Sequence, residues 1–172
     1  RANWNPYDQN ASADFFDVEW MFGITEGFDV VIGNPPYLKE RDNAIYFAPV
    51  NSSSLGEKYH QGKMDYWYYF LHQCINITKT RSGTIAFITP RYWLNSQGAT
   101  KLIQRVKNEL RFLQFIDIGK IGVFDAVAGH HMIGIFTKNT ERDALVYKKL
   151  ENDLTHIDKL HNTENVRIKM LY

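Results

Sequence analysis

The ten residues Phe28-Asp-Val-Val-Ile-Gly-Asn-Pro-Pro-Tyr37 decide the fold of this chain. Their centre, Val30 to Ile32, is a run of three β-branched residues, which is typical of a strand buried on both faces in a parallel sheet. The strand must end at Asn34, because neither of the two prolines that follow has a backbone N–H to donate to a ladder. The sequence therefore predicts a buried strand that stops abruptly at an Asn-Pro-Pro-Tyr turn.

Strand and helix patterns alternate downstream of this strand. Helical spacing covers residues 65–79 and 99–110, and further strands are predicted at 84–89, 112–118 and 132–137. This alternation predicts an α/β fold with a partial Rossmann-like sheet, in which three strands are parallel and one is an antiparallel edge strand.

The remaining segments carry weaker patterns. Pro49, a serine run and Gly56 predict a long loop over residues 38–62. Residues 1–27 are a polar and aromatic lead-in segment, and 28–139 hold the alternating elements. The tail, 140–172, is charged, and its only helical pattern covers 145–154. The chain begins with Arg1 rather than Met, so we expect it to be part of a longer protein.

Composition excludes several classes of protein. Hydrophobic residues make up 44% and charged residues 23% of the 172, which is ordinary for a globular domain. The net charge is +1, so a nucleic-acid partner must be argued from a local site and not from an overall field. Cys74 is the only cysteine, which excludes an internal disulfide and fits a cytoplasmic location. No apolar run approaches the roughly 18 residues that span a bilayer, so no membrane partner is expected.

The turn after the first strand carries groups suited to methylating an amine. Ligands of open α/β sheets bind beyond the carboxyl ends of the strands, where this turn lies. The lone pair of an exocyclic amine is delocalised into its ring, and two acceptors that bind the amine hydrogens pull the nitrogen toward tetrahedral geometry. The Asn34 side-chain oxygen is one such acceptor, and a prolyl carbonyl held by Pro35 and Pro36 is a second. The Tyr37 ring can stack on a base that has been flipped out of the duplex.

The segment Phe28 to Tyr37 resembles the catalytic motif of the amino-methyltransferases. Its surroundings resemble those in large type II restriction–modification methylases of the IIG or IIS kind. The residues that carry this resemblance are Asp8-Gln-Asn-Ala11, Phe15-Phe-Asp-Val-Glu-Trp-Met-Phe22, Gly62-Lys-Met-Asp65, Gly83 to Leu94, Phe115-Ile-Asp-Ile-Gly119 and Val123-Phe-Asp-Ala126. The resemblance covers about residues 3–138 and implies the second, target-base half of a DNA adenine-N6 methyltransferase domain.

The resemblance also implies a cofactor and partners. The methyl donor would be S-adenosyl-L-methionine and the substrate double-stranded DNA with a flipped adenine; Asn34, Pro35, Pro36 and Tyr37 would form the catalytic motif. The family's glycine-rich cofactor loop has no counterpart in residues 1–33, and we interpret Gly119 and Gly122 as a turn. We therefore expect the chain alone to be inactive without an N-terminal cofactor-binding half and a C-terminal target-recognition domain. In this chain only Gly33 and Asp65 are candidate cofactor contacts.

Other polar residues are candidates for substrate contacts. Cations near the turn could neutralise DNA phosphates or could be ordinary solvated charges; they are Lys39, Arg41, Lys58, Lys63 and Arg91. Tyr92 and Trp93, which follow Arg91, are also expected to face the crevice. His130 and His131 are adjacent, so they would face opposite ways on a strand and make a poor metal pair. The resemblance places base-contacting groups near His131 or Met132.

Three alternatives stay open at this point. A protein glutamine amide poses the same lone-pair problem as adenine, so the motif is also compatible with a protein glutamine methyltransferase. Cytosine N4 is a third acceptor with the same amine chemistry. A non-enzymatic fragment would only bind DNA or a partner subunit, and an exposed sheet edge would promote its self-association.

Overall fold

The computed structural model describes residues 17–119, 129–139 and 146–149, together with 5, 7, 8, 10 and 141. Within these residues five strands form one sheet in the order β1-β2-β4-β3-β5. The strands are β1 (Val30–Gly33), β2 (Thr84–Pro90), β3 (Arg111–Gly119), β4 (His131–Thr137) and β5 (Val146–Lys149). The alternating pattern of the sequence thus produces the α/β fold that it predicts.

The strand directions confirm most of the expected sheet. Strand β1 pairs in parallel with β2, β4 is antiparallel to both β2 and β3, and β5 is parallel to β3. Three parallel strands and one antiparallel strand were expected; among β1 to β4 this is what the sheet has, and the antiparallel strand is β4. The prediction that the antiparallel strand lies at the edge of the sheet was wrong, because β4 lies between β2 and β3 and pairs with both along its whole length. Met132 and Phe136 on β4 are 0% and 2% exposed, which this interior position explains.

Strand β1 is covered on one face only, which corrects the expectation that both faces are buried. Val31 packs against the core, whereas Val30 and Ile32 are 61% and 79% exposed. No strand among the described residues pairs with the other side of β1. A β-branched run therefore indicated a strand correctly but not the number of its covered faces.

The two predicted amphipathic helices are confirmed as α4 (Trp67–Ile77) and α5 (Thr100–Glu109). Trp67, Leu71 and Ile75 on α4 are buried in one core with residues of β2 and β4. Phe70, which follows Trp67 at helical spacing, is 40% exposed. A short helix, α1 (Val18–Phe22), precedes β1; its N-cap Asp17 accepts a hydrogen bond from the Trp20 N–H. No described helix is long and apolar enough to cross a membrane.

The segment 38–62 is not the long loop that its turn residues predicted. It folds into a 3-10 turn, Glu40–Asp42, followed by two helices, α2 (Ala44–Asn51) and α3 (Ser54–Tyr59). Burial decides the outcome, because Phe47 and Tyr59 are 1% and 8% exposed and anchor the two helices on the core. The serine run supplies a cap, since Ser53 Oγ accepts from the Gly56 N–H at 3.3 Å.

The helix predicted in the tail at 145–154 is wrong for the four residues that the structure describes there. Residues 146–149, inside the stretch with a helical pattern, form strand β5 beside β3. Because β3 offers an unpaired edge there, backbone pairing overrides the local helical pattern. The rest of the predicted 145–154 helix lies outside the described residues. So do four residues of the upstream resemblance, Gln9, Ala11, Phe15 and Phe16, and the segment 123–126.

Candidate active site at the carboxyl ends of the strands

Polar groups from four strands meet at one edge of the sheet. Asn34 follows the carboxyl end of β1, and Arg91 follows that of β2. Strand β4 runs the other way, so its first residue, His131, lies opposite Pro90 of β2 and Gly119 of β3. The Arg91 N–H donates to the His130 carbonyl at 2.8 Å, which ties the two strand ends together. This edge is where the topology of open α/β sheets places ligand sites.

The Asn-Pro-Pro-Tyr turn is folded back onto β2 by its tyrosine. The Tyr37 hydroxyl oxygen lies 2.8 Å from Asn34 Oδ1 and 2.8 Å from the Ile88 carbonyl oxygen, and these two acceptors share its single hydrogen. Asn34 is exposed, Pro35 is buried, and the Pro36 carbonyl accepts from the Leu38 N–H at 3.2 Å. The turn therefore presents the Asn34 amide to solvent from a backbone that the two prolines and Tyr37 hold in place.

The Tyr37 ring has His131 beside it. The two ring centroids are 5.7 Å apart and the planes are tilted by 37°. Burial raises the pKa of Tyr37 to about 12, so its hydroxyl stays protonated near neutral pH. Burial also lowers the pKa of His131, which favours a neutral imidazole at this edge.

Of the other residues expected near the Asn34–Tyr37 turn, some lie at the surface and others are buried in the core. His130 is exposed and His131 is 2% exposed, as expected for neighbours that face opposite ways. Met132 is 0% exposed within the core, so it does not reach a ligand at the surface. Trp93 is 2% exposed and packs against Trp67, so its predicted place on the crevice was wrong. It fills the core because the 3-10 turn Arg91–Asn95 rotates it inward.

A second segment clamps the chain just beyond the turn. The Tyr66 N–H donates to the Leu38 carbonyl at 2.8 Å, and the Glu40 N–H donates to the Met64 carbonyl at 2.9 Å. Lys39 and Asp65 form the antiparallel bridge between these two bonds. Residues 38–40 are thus held by residues 64–66, and these contacts fix the backbone directly after Tyr37.

This clamp forms one wall of a crevice of about 340 Å³. The crevice is lined by Lys39, Glu40, Arg41, Lys63, Met64, Asp65, Tyr92 and Ser96. Asp65 is 3% exposed, and its Oδ2 accepts from the Tyr92 hydroxyl at 2.7 Å. The Lys39 ammonium lies 4.8 Å from the centroid of the Tyr92 ring. Burial, together with the bond to Asp65, raises the pKa of Tyr92, so this hydroxyl remains a donor.

Three of the five predicted DNA-contacting cations line this crevice, namely Lys39, Arg41 and Lys63. Arg41 is paired with its neighbour Asp42 at 2.9 Å. Lys58 does not line the crevice; it projects from α3 over the Tyr59 ring, 5.1 Å from the centroid. Arg91 lies at the strand ends but is paired with buried Asp117 at 3.2 Å. The structure thus groups three cations and leaves the other two with separate partners.

The backbone at Lys63 has a conformation that side chains rarely adopt. Its φ is +54°, and the Lys63 carbonyl lies so close to Gly98 that a Cβ there would be 1.9 Å from the carbonyl oxygen. Gly98 therefore has to be glycine for the Lys63 turn to pack against the 3-10 turn Gln97–Ala99. Positive φ at a non-glycine residue is more frequent at functional sites than elsewhere, which agrees with a role for this wall of the crevice.

Sequence reasoning missed several parts of the site. It found neither the Ile88 carbonyl as a partner of Tyr37, nor the Asp65–Tyr92 hydrogen bond, nor Asp117 as the partner of Arg91. The only available signal was position, since Ile88, Tyr92 and Asp117 all lie at or just beyond predicted strand ends. Among the described residues no group of three or more His, Cys, Asp or Glu side chains is arranged to hold a metal ion.

The described residues fit only part of a cofactor site. The turn after β1 is Asn-Pro-Pro-Tyr, and β2 is followed by a 3-10 turn, so neither is a glycine-rich loop of the kind that cradles a nucleotide. Gly33 leaves the backbone bare beside the Phe87 ring, where a Cβ would lie 3.3 Å from the ring. Asp65 is buried and already accepts from Tyr92.

The fold defined by this sheet is that of the class I S-adenosylmethionine-dependent methyltransferases. A putative enzyme of that class from Listeria monocytogenes is 19% identical with a TM-score of 0.51, over 74% of this chain and 38% of that one. The type I restriction–modification methyltransferase subunit from Streptococcus thermophilus is 17% identical with a TM-score of 0.56, over 77% of this chain and 29% of that one. A modification subunit of a putative type I restriction enzyme from Vibrio vulnificus is 16% identical with a TM-score of 0.55, over 76% and 27%.

Sequence comparison narrows the class to one family. The profile of the Eco57I restriction-modification methylase family matches residues 2–124, and the chain belongs to that family. This confirms the resemblance seen around Phe28 to Tyr37. The chain spans about a quarter to two fifths of the length of the solved structures named above. No curated protein sequence matches it significantly.

Proposed function

We propose that this chain is the target-base half of a DNA methyltransferase that transfers a methyl group to adenine N6 in a restriction–modification system. The observation that carries the proposal is the exposed Asn34 amide at the carboxyl end of β1, on a rigid prolyl turn beside the Tyr37 ring. The family to which the chain belongs and its methyltransferase fold support the reaction class. Adenine as the acceptor rests on the motif and its sequence surroundings.

The chemistry follows from the acceptors that the turn offers. The amino group of a flipped adenine would donate one hydrogen to Asn34 Oδ1 and the other to the Pro35 carbonyl. The Pro36 carbonyl is already engaged by the Leu38 N–H, which makes the Pro35 carbonyl the better second acceptor. Two such bonds would free the nitrogen lone pair for in-line attack on the methyl carbon of the donor, whose carbon–sulfur bond would break as the nitrogen–carbon bond forms. The methylated nitrogen would then lose one proton to water. The Tyr37 ring would stack on the base, which offsets part of the cost of flipping it.

The methyl donor would be S-adenosyl-L-methionine, which supplies an electrophilic methyl group when it is bound. In this chain Gly33 would lie closest to it, because the bare backbone there directly precedes Asn34. Asp65 is a weaker candidate, since it is buried and hydrogen bonded to Tyr92. Most cofactor contacts would come from an N-terminal half outside this chain, and we expect the isolated chain to be inactive.

The crevice beside the turn would hold the DNA backbone. Lys39 and Lys63 are its best phosphate ligands, because Arg41 shares its charge with Asp42. Lys58 and Arg91 are secondary candidates, because neither lines the crevice and Arg91 is paired with Asp117. The sequence to be methylated would be selected by a target-recognition domain outside this chain.

Transfer of a tritiated methyl group by the full-length protein tests the proposal. Double-stranded DNA and a glutamine-bearing protein are offered as parallel acceptors, each with labelled S-adenosyl-L-methionine. We expect label in the DNA alone. Label in the protein would instead establish a glutamine methyltransferase, and label in neither would reduce the chain to a binding role.

A further inference from the structure

We propose that Tyr92 is a positioning residue that keeps the Lys39 ammonium apart from the Asp65 carboxylate, so that Lys39 is free to bind a DNA phosphate in the crevice. The inference rests on the proposed function and deepens it. It gives a task in substrate binding to a side chain that takes no part in the methyl transfer itself.

The first step concerns the register that places Lys39 beside Asp65. Backbone hydrogen bonds flank the bridge between these two residues on both sides, so they form a non-hydrogen-bonded antiparallel pair. The Cα atoms of such a pair lie about 4.5 Å apart, and the two side chains emerge on the same face. An ammonium and a carboxylate in this arrangement are expected to form an ion pair.

The second step concerns the side chain that contacts both charges instead. The Tyr92 hydroxyl donates to Asp65 Oδ2 at 2.7 Å, and the Lys39 ammonium lies 4.8 Å from the centroid of the Tyr92 ring. In the part of the chain that the structure describes, Lys39 and Asp65 form no ion pair with each other. Burial, together with the bond to Asp65, raises the pKa of Tyr92, so the hydroxyl remains a donor. Tyr92 therefore satisfies the carboxylate with its hydroxyl and holds the ammonium over its ring.

The third step concerns what this contact leaves to Lys39. An aromatic ring carries no net charge, so it attracts an ammonium through its quadrupole and does not neutralise it. Arg41, in the same crevice, shows the contrast, because its guanidinium is paired with the Asp42 carboxylate at 2.9 Å. Lys39 thus keeps its full charge for an anion that enters the crevice, at a place that the ring has already fixed.

The fourth step concerns what happens without the ring. Asp65 is 3% exposed, so water does not readily replace the donor that its carboxylate would lose. A buried carboxylate without a donor is costly, and the Lys39 ammonium on the same face would be drawn to it. Collapse of Lys39 onto Asp65 would remove one positive charge from the crevice.

Binding of a labelled random-sequence DNA duplex by the full-length protein, measured at several salt concentrations, tests the proposal. Each phosphate that a protein neutralises contributes about −0.9 to the slope of log K against log salt. We expect Lys39→Gln and Tyr92→Leu each to make this slope less steep by about 0.9. The matched control is Tyr46→Leu, which truncates an exposed tyrosine on α2 and should leave the slope unchanged.

Asp65→Asn separates the capture of Lys39 from a general distortion of the crevice. The amide has the shape of the carboxylate but no charge, so it does not attract the ammonium. In the Tyr92→Leu background we expect Asp65→Asn to restore the slope, whereas in the unmodified protein it should leave the slope unchanged. An unchanged slope in Tyr92→Leu, no restoration by Asp65→Asn, or an equal effect of Asp65→Asn in the two backgrounds would overturn the proposal.

A second measurement needs no DNA and uses the full chain. We expect the proton signals of the Lys39 CH2 group next to the ammonium to be shifted upfield by the Tyr92 ring. This shift should disappear in Tyr92→Leu and persist in Tyr46→Leu. Lys39 signals without a ring-current shift would overturn the inference. If the unmodified full-length protein bound no DNA, the proposed function would fail, while this spectrum would still decide whether Tyr92 holds Lys39.

Discussion

Tyr92 connects a buried negative charge to an exposed positive one. Its hydroxyl donates to the Asp65 carboxylate at 2.7 Å, and its ring lies 4.8 Å from the Lys39 ammonium. Asp65 is 3% exposed, so water does not replace a donor that is taken away. This side-chain hydrogen bond therefore adds to the backbone bonds that hold the wall of the crevice.

Replacing Tyr92 by Phe tests that dependence. We expect the free energy of unfolding to fall by about 1–3 kcal/mol, because the carboxylate loses a donor while it stays buried. Urea denaturation of the full chain measures the loss. The matched control is Tyr46→Phe, since Tyr46 is 56% exposed, and its effect is expected to stay within about 0.5 kcal/mol. Equal effects of the two changes would show that the hydrogen bond to Asp65 does not stabilise the fold.

The sequence predicts the roles of some single residues but not the long-range contacts of others. Asn34 and Tyr37 were predictable, because a turn that directly follows a strand depends on local chain chemistry. The partnership of Tyr92 with Asp65 was not, since 27 residues separate them and only the fold brings them together. The pairing of Arg91 with Asp117 is hidden for the same reason.

Helices α3, α4 and α5 meet around His72. Its ring stacks on Tyr59 of α3 with centroids 3.8 Å apart, and its carbonyl accepts from Arg105 of α5 at 2.9 Å. Burial, and then the positive charges of Arg105, Lys101 and Lys58, lower the pKa of His72 from 6.5 to about 3. The imidazole is therefore buried in its neutral form.

This predicts a loss of stability in acid. Between pH 6.5 and about 3 the unfolded chain binds a proton at His72 and the folded chain does not. The free energy of unfolding should therefore fall as the pH is lowered through this window, by roughly 1 kcal/mol per pH unit from this group. Urea denaturation between pH 6.5 and 5 measures the slope before most carboxylates titrate.

A variant separates His72 from other titrating groups. His72→Phe keeps an aromatic ring against Tyr59 and removes the titration, so we expect a shallower pH slope. Gln73→Ala, on the exposed face of the same helix, should leave the slope unchanged. If the slope of His72→Phe matched that of the unmodified chain, His72 would not be the source of acid sensitivity.

At this scale the helices and strands with strong periodicity were predicted well, and the segment 38–62 was not. Of the turn-forming residues there, Ser53 caps α3, whereas Pro49 and Gly56 lie inside α2 and α3. Phe47 and Tyr59 are buried, and Gly56 lies so close to Val50 that a Cβ would be 2.1 Å from its carbonyl oxygen. Tertiary contacts of this kind fold α2 and α3, and they are invisible in a local pattern.

In the part of the chain that the structure describes, strand β1 has one partner. Among the described residues only β2 pairs with it, and Ile32 on its uncovered face is 79% exposed. An uncovered strand with apolar side chains favours pairing with another chain. We therefore expect the chain on its own to self-associate through this edge.

Two lysine substitutions test this expectation. Ile32→Lys should shift the chain toward monomer in sedimentation velocity, because a charge on the uncovered strand opposes pairing. Ile45 is equally exposed at 79% but lies on helix α2, so Ile45→Lys is the matched control and should not change the association. A chain that is monomeric without either change, or that responds equally to both, would contradict association through β1.

The sequence predicted three parallel strands and one antiparallel strand among the first four, but not their order in the sheet. Position between two neighbours depends on pairing between segments far apart in the chain, and β4 inserts between β2 and β3 although β3 precedes it. The number of covered faces of β1 and the strand at 146–149 were missed for the same reason, because each depends on which neighbour is present. Strand type was therefore predictable, whereas position in the sheet was not.

The most direct test of the central claim is the nucleoside composition of DNA methylated by the full-length protein, compared with that produced by its Asn34→Ala variant. We predict N6-methyldeoxyadenosine as the product and a rate at least roughly 10²-fold lower in the variant, because Asn34 Oδ1 is one of the two acceptors that the amine requires. Asn108→Ala, which truncates an exposed asparagine on α5, should retain the full rate. A methylated cytosine, or an undiminished rate in Asn34→Ala, would contradict the account.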